Sequence, residues 1–383
     1  MDSRIPLYFT KHPYDISGTE KYFMRAIREN FSYHILHNPD YAEIVRRELG
    51  FKRRGRGELA EEAASLIRVE EDISLIPPIP TAFFKRKRLW TMKPWQLPVK
   101  ATSSGTEGKR SEMAYDCQSI IFGAALAGKL CSFHGLFSLR PANYIILGYE
   151  PHRTNKTVIT KTQFISSFFA PPIRRSYALK YEEGGYTLNK KGLFRDLMSF
   201  CRSGFPVRII GFPAYFFFLL KTLDRAGIRM KLPEGSMVLL GGGWKKFEGS
   251  KVDIIELSGL AEKVLGIKPE SIREFFGAAE HPGLYCSCKN HHFHVPCYSR
   301  VIIRDETSLK PLDYGESGIL NLITPIAHSI PLISVMTDDI AVLHRGEDCG
   351  CGIKTDYFEI IKRVGLSEIE TCSQTADRLM RDK

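Results

Sequence analysis

Between Pro206 and Phe276 the chain alternates short apolar runs with amphipathic stretches, an order that leaves few folds open. Pro206–Gly211, Met237–Leu240 and Ile272–Phe276 are short runs of mostly aliphatic or aromatic side chains, as strands covered on both faces require. Between them, Pro213–Ala226 and Val252–Leu265 carry apolar residues at helical spacing, the second closed by Gly266. Strand, helix, strand, helix, strand is the rhythm of a parallel sheet with helices on its faces.

The flanking regions are patterned differently. The first ninety-odd residues read as polar helices, Glu20–Asn30 and Asp40–Leu49 among them, followed by a basic patch at Arg53–Arg56. Pro77, Pro78, Pro80, Pro94 and Pro98 break any regular element between Leu75 and Val99, so a lobe boundary or an ordered crossover is expected there. Ala114–Leu130 has helical spacing and Tyr144–Gly148 reads as a short buried strand. Beyond Cys297, the segments Ser299–Arg304, Ile319–Ile323 and Leu332–Leu343 read as strands separated by turns such as Asp313-Tyr314-Gly315. The expected organisation is a helical segment over 1–95 packed on the main lobe, an α/β core over 96–296, a β-rich subdomain over 297–362 and a short remnant over 363–383.

Composition narrows the partners. No unbroken apolar stretch reaches membrane-spanning length, which argues against a membrane span. The net charge of +11 favours a polyanionic ligand: a nucleotide, a nucleic acid or an acidic surface. Residues 1–9 lack the basic start, apolar run and small-residue cleavage site of a secretory signal, so a cytoplasmic location is expected. In a reducing compartment, clustered cysteines read as metal ligands or nucleophiles. Five of the nine, Cys286, Cys288, Cys297, Cys349 and Cys351, crowd into one stretch.

Several segments could carry chemistry. Thr102-Ser103-Ser104-Gly105-Thr106-Glu107-Gly108-Lys109 gathers hydroxyls, glycines and a lysine into a loop able to wrap phosphate oxygens. Its spacing is not that of a Walker A loop, since Arg110 stands where Ser or Thr should follow the lysine. Gly241-Gly242-Gly243-Trp244-Lys245-Lys246 follows directly on an expected strand, where α/β sheets bind ligands and glycines admit a flat base. Phe276-Gly277-Ala278-Ala279-Glu280-His281 offers a carboxylate able to hold Mg²⁺, and Thr337-Asp338-Asp339 offers acceptors for ribose hydroxyls. Cys286-x-Cys288 and Cys349-x-Cys351 supply four thiolates suited to Zn²⁺, and His294 or Cys297 could replace a member.

Together and in this order, from about residue 75 to the end, these segments resemble the adenylate-forming (ANL) superfamily. The likeness is greatest to its branch of LuxE-type acyl-protein synthetases and phenylacetate–CoA ligases. Thr102–Lys109 looks like the superfamily's phosphate loop, and Phe276–Glu280 like its aromatic-Gly-x-x-Glu motif. Gly241–Gly243 looks like the adenine-facing loop, Thr337-Asp338 like the ribose-binding motif, and Arg363 like the hinge arginine. The LuxE-type branch is favoured by Gly-Gly-Gly-Trp-Lys-Lys, by Leu284-Tyr285-Cys286-Ser287-Cys288 and by His294-Val295-Pro296.

The resemblance implies an α/β fold: an ANL-type large lobe of parallel-sheet subdomains and a β-rich subdomain, with a truncated C-terminal lobe. It implies ATP and Mg²⁺, and activation of a carboxylic acid as acyl-adenylate, followed by capture on a thiol. Lys109 would offset charge on pyrophosphate, and Glu280 would hold Mg²⁺. Cys372, nine residues beyond Arg363, stands where the family carries its acyl-accepting cysteine. The family passes long-chain acyl groups to an acyl-reductase partner, so a protein partner is implied, and the chain could self-associate. The phenylalanine- and leucine-rich segments Ile165–Ala170 and Gly211–Leu220 suit a hydrophobic acid.

Two departures stand out. Only residues 364–383 correspond to the superfamily's small lobe with its catalytic lysine, leaving Lys109, Lys245 or Lys246, or a partner, for that role. Ala279 replaces the usual threonine. A coenzyme A ligase is the rival within enzymes. A basic zinc-containing nucleic-acid-binding protein is the rival outside them, but it leaves the phosphate-type loop unexplained.

Overall fold

The computed structural model describes residues 2–52, 55–102, 112–155 and 157–364. The chain forms two compact units: Met1–Leu130 with Gly277–Tyr285 and Phe293–Lys383, and Cys131–Phe276 with Cys286–His292. Among the described residues, no helix is long and apolar enough to cross a membrane.

The second unit is built on a parallel sheet. Its strands run in the order Ile272–Phe276, Met237–Gly241, Val207–Gly211, Ala142–Tyr149 and Pro172–Glu182. Ile209 pairs with Val238 and Val238 with Ile272, so the aliphatic runs read from the sequence are neighbours in one sheet. Helix Pro213–Arg225 starts with a proline, whose missing N–H is one of the donors a first turn leaves unpaired. It buries Phe216, Phe217, Leu220 and Leu223 in a core with Ile145, Ile209, Val238 and Leu240. Helix Ile254–Leu265 is capped by Asp253, which accepts from the Glu256 N–H, and stops at Gly266 in the left-handed conformation.

One hairpin of this unit is absent from the sequence reading. Strand Pro172–Glu182 turns through Glu183 and Gly184, both at positive φ, into Gly185–Leu188. Two successive positive φ values suit the right-handed twist of a tight hairpin. The long strand escapes pattern recognition because only Ser176, Tyr177 and Ala178 along it are fully buried.

The first unit centres on an antiparallel sheet in the order Phe293–His294, Tyr357–Arg363, Ser334–His344, Ser317–Ile323, Arg300–Arg304. Helices Glu20–His37, Pro39–Glu48 and Arg56–Ser65 share a core with it, Phe23, Ile27, Phe31 and Val45 meeting Ile323, Leu332 and Val335. Two arginines tie this unit together. Arg304 donates to Asn321 Oδ1 and to the carbonyls of Leu309 and Ser74, and Arg300 makes a two-pronged pair with Glu70.

Two sequence expectations are corrected here. The proline-rich stretch is an ordered crossover that does hold regular elements: Ile79 and Pro80 pair in parallel with Val335 and Met336, and Thr81–Arg86 is helical. Pro80 serves as that helix's N-cap, a place where proline does no harm. The apolar run from Ala114 divides into strand Glu112–Tyr115 and helix Cys117–Phe133. Asp116 divides them by accepting from the Ser119 N–H and hydroxyl, as a helix-initiating residue does.

Truncating the fully buried Phe216 to alanine is expected to lower the unfolding free energy by about 3–5 kcal/mol, read from urea melts. His34 is also buried: its Nε2–H donates to the Ala327 carbonyl and its Nδ1 accepts from Thr91, and burial lowers its pKa to about 3. Burial lowers His281 to about 3 as well. A base with a depressed folded-state pKa takes up its proton only on unfolding, between about 3 and the ordinary 6.5. Stability should therefore be full above pH 6.5 and fall as the pH drops toward 3. His34→Gln should flatten that slope in urea midpoints measured against pH.

Candidate nucleotide site and metal-ligand cluster

Asp338, on strand Ser334–His344, is the best-defined functional candidate. It is buried, and Thr81 Oγ1 donates to its Oδ1 at 2.7 Å. Lys85 Nζ stands 3.9 Å and Arg363 Nη2 3.8 Å from its Oδ2. Thr81 and Lys85 lie four residues apart, on one face of the short helix that follows the Ile79–Pro80 pairing. Arg363 ends strand Tyr357–Arg363, opposite Asp339 in the ladder, and the Val364 N–H donates to the Asp338 carbonyl. The two cations lie beyond hydrogen-bond reach, so Oδ2 keeps lone pairs for a ligand hydroxyl. Sequence reasoning named Asp338 and Arg363 but not Thr81 or Lys85. The signal for these was the four-residue spacing of a hydroxyl and a cation inside a stretch read as loop.

Glu280 is buried in Gly277–Tyr285 of the same unit. The neighbouring backbone is pinned by Tyr115, whose hydroxyl donates to the Ala279 carbonyl at 2.7 Å. Burial and then the Glu280 charge push that phenol's pKa up, so Tyr115 stays a donor. His281 is neutral at physiological pH; its Nε2 lies 3.3 Å from Tyr285 Oη, which lies 2.5 Å from Ser299 Oγ. A sheltered carboxylate oxygen fits a small hard cation, so Glu280 suits Mg²⁺ by donor chemistry. Phe276 closes the last parallel strand of the second unit and Gly277 opens the segment carrying Glu280.

At the carboxyl end of strand Met237–Gly241, Gly242 and Gly243 have φ of 86° and 66°, conformations that residues with a side chain rarely adopt. A Cβ on Gly242 would also lie 2.8 Å from the Phe212 ring. Trp244 is buried against Phe217, while Tyr215, Phe218 and Phe247 continue the aromatic surface beside the loop. The Gly211–Leu220 segment thus divides: Phe216 and Leu220 are core, whereas Phe218 reaches solvent. Ile165 and Phe168 of the other apolar segment are exposed.

Ser103, Ser104, Gly105, Thr106, Gly108 and Lys109 lie outside the described residues, between strands Val99–Thr102 and Glu112–Tyr115, which pair antiparallel. Cys372 lies outside them too. Of the expected thiolate set, Cys349 and Cys351 belong to the first unit, where His294 Nε2 stands 3.2 Å from Cys351 Sγ, and Cys288 belongs to the second. Cys286 is buried with its thiol donating to the Ser287 carbonyl. Cys297 faces Thr10 instead.

The architecture is that of the adenylate-forming ligases. It is similar to a 2-hydroxyisobutyryl-CoA ligase in the postadenylation state in complex with 2-HIB-AMP, with a TM-score of 0.64 at 12% identity over 94% of this chain and 70% of that one. An open conformation of the same ligase gives 0.63 at 14% identity, over 94% of this chain and 77% of that one. Within that class, the acyl-protein synthetase LuxE family model matches residues 63–380, and the chain belongs to that family of ATP-dependent ligases. Relatives include the long-chain-fatty-acid–luciferin-component ligase of Vibrio harveyi, 26% identical over 95% of this chain and 89% of its own. The Aliivibrio fischeri counterpart is 24% identical over 96% and 91%.

Gly242→Ala combines a strained φ with a close approach to Phe212, and is expected to cost about 2 kcal/mol or more. Urea melts would show it, and an unchanged midpoint would mean that the loop relaxes freely.

Proposed function

We propose that the protein activates a hydrophobic, fatty carboxylic acid with ATP, captures the acyl group on Cys372 and passes it to a protein partner such as an acyl reductase. In the first step the substrate carboxylate oxygen bonds to the α-phosphorus, the bond from that phosphorus to the β-phosphate bridging oxygen breaks, and pyrophosphate leaves. In the second, the Cys372 thiolate attacks the acyl carbon, a thioester forms and AMP departs with the electrons of the broken C–O bond. The proton lost by the thiol goes to solvent.

The observation that carries this reading is the Asp338 constellation, with family membership as its frame. A buried carboxylate flanked by two cations, with lone pairs open on Oδ2, suits a pair of ribose hydroxyls, the role of the matching residue in the superfamily. The loop Ser103, Ser104, Gly105, Thr106 and Gly108 has the donors to hold the phosphates, and Lys109 the charge to balance departing pyrophosphate. Gly241, Gly242, Gly243, Phe276 and Gly277 offer surfaces without bulky polar groups to a flat adenine. Glu280 would hold Mg²⁺, which when bound neutralises phosphate charge. The exposed Ile165, Phe168 and Phe218 suit an apolar chain rather than a sugar acid.

Acid-dependent exchange of labelled pyrophosphate into ATP, run across acids of increasing chain length, tests the first step. Exchange rising with chain length is the expected result, and none with any acid would refute the reading. Asp338→Ala should raise the KM for ATP roughly tenfold or more, the worth of a hydrogen bond to a charged group. Cys372→Ser should keep exchange yet leave no label from a radioactive acid on the denatured chain. Label that persists on the serine variant would rule out Cys372 as acceptor, and release of label only by coenzyme A would favour a coenzyme A ligase.

A further inference from the structure

We propose that Arg175 and Arg208 form a binding site for a small oxyanion, a carboxylate or a phosphate group. Both belong to the second unit, where three neighbouring strands of the parallel sheet set Arg175, Tyr144 and Arg208 side by side. A strand spacing of about 4.8 Å puts the two arginine backbones roughly 10 Å apart, with their side chains on one face of the sheet. The ladder shifts by one residue between Ala142 and Tyr144, and this shift sets Arg175 rather than Arg174 opposite Tyr144. Arg174 goes to the other face, where it and Ser176 meet Asp196 of helix Lys190–Cys201.

The two guanidiniums lack what a sheltered cation needs. Arg208 is 4% exposed, and its guanidinium contacts only the Met237 thioether, a weak acceptor, through Nη1. Its Nε is buried with no hydrogen-bond partner, and so is Arg175 Nη2. Arg175 is held in place by Ser167 Oγ, which accepts from its Nε at 2.8 Å, and by the Phe168 ring, whose centre lies 4.5 Å from the guanidinium carbon. Among the described residues neither guanidinium meets a carboxylate. A charge withdrawn from water is costly unless an opposite charge and hydrogen bonds replace the water. The Tyr144 hydroxyl is not that partner, because it donates to the Ala170 carbonyl and accepts from the Ala170 N–H. Burial raises its pKa, and the charges of Arg208 and Arg175, both near enough to act on it, pull it back only in part. A guanidinium offers paired N–H groups that match the oxygens of a carboxylate or phosphate, so an oxyanion between the two supplies both the missing charge and the missing acceptors. Arg175 is half-buried, which opens the position to solvent on its side.

The pair stands toward the amino ends of its strands, whereas Gly241–Gly243 lies at a carboxyl end, and neither arginine takes part in the proposed adenylation. The test is thermal unfolding of the full chain with sodium phosphate or sodium acetate replacing chloride at constant ionic strength. The midpoint should rise by about 2–4 °C at ten times the half-saturating concentration. The rise should vanish in Arg175→Met and in Arg208→Met and persist in Arg174→Met. A response to acetate assigns a carboxylate site, and a response to phosphate alone a phosphate site. Because either methionine variant at the pair can fail to fold, crystals of the unaltered protein soaked in selenate supply a second reading, anomalous density between the two guanidiniums. The proposal is overturned by no rise with either anion, by a rise that Arg175→Met and Arg208→Met both keep, or by selenate density absent from this position.

Discussion

A buried carboxylate needs partners, and the way Asp338 finds them organises the middle of the first unit's sheet. Its hydroxyl donor, Thr81, is 257 residues away in sequence, brought over by the parallel pairing of Ile79 and Pro80 with Val335 and Met336. Its second cation arrives at the end of the neighbouring strand, through the register that sets Arg363 opposite Asp339. Three segments must therefore be in place before the charge is tolerable, because an unpaired buried carboxylate costs several kcal/mol. The same arrangement leaves Oδ2 with cations near it but no hydrogen bond within reach from them, a surface that a sugar diol can complete.

Much of the fold is legible in the chain where burial is complete. The strands at Val207–Gly211 and Met237–Gly241 match their apolar runs to within a residue at each end, because Arg208 is the one charged residue in either and both are buried along most of their length. Strand Pro172–Glu182 is illegible for the opposite reason: Arg174, Arg175 and Lys180 interrupt it, and only its middle is buried. Helix Thr81–Arg86 is hidden by proline density, although the prolines flank it and none interrupts it. Thr81 and Lys85 could be recognised as site residues only once Asp338 was beside them.

The cysteines show how pattern and geometry divide the work. Spacing alone pairs Cys286 with Cys288, yet strand Tyr285–Cys286 ends before Cys288, whose sulfur accepts from the Asn290 N–H in the turn that follows. Cys286 is buried with its thiol on the Ser287 carbonyl, whereas His294 Nε2 stands 3.2 Å from Cys351 Sγ. The Gly241–Gly243 loop is the converse case. Its glycines were legible as a string, and the structure supplies the reason: two positive φ values and a ring of Phe212 too close for any Cβ.

The central claim is that Asp338 receives the ribose of an adenylate intermediate. A crystal structure with a non-hydrolysable acyl sulfamoyl adenosine tests it most directly. The account predicts both ribose hydroxyls within hydrogen-bond distance of the Asp338 carboxylate, with Thr81 still donating to Oδ1. A bound nucleotide whose ribose makes no contact with Asp338 would contradict it.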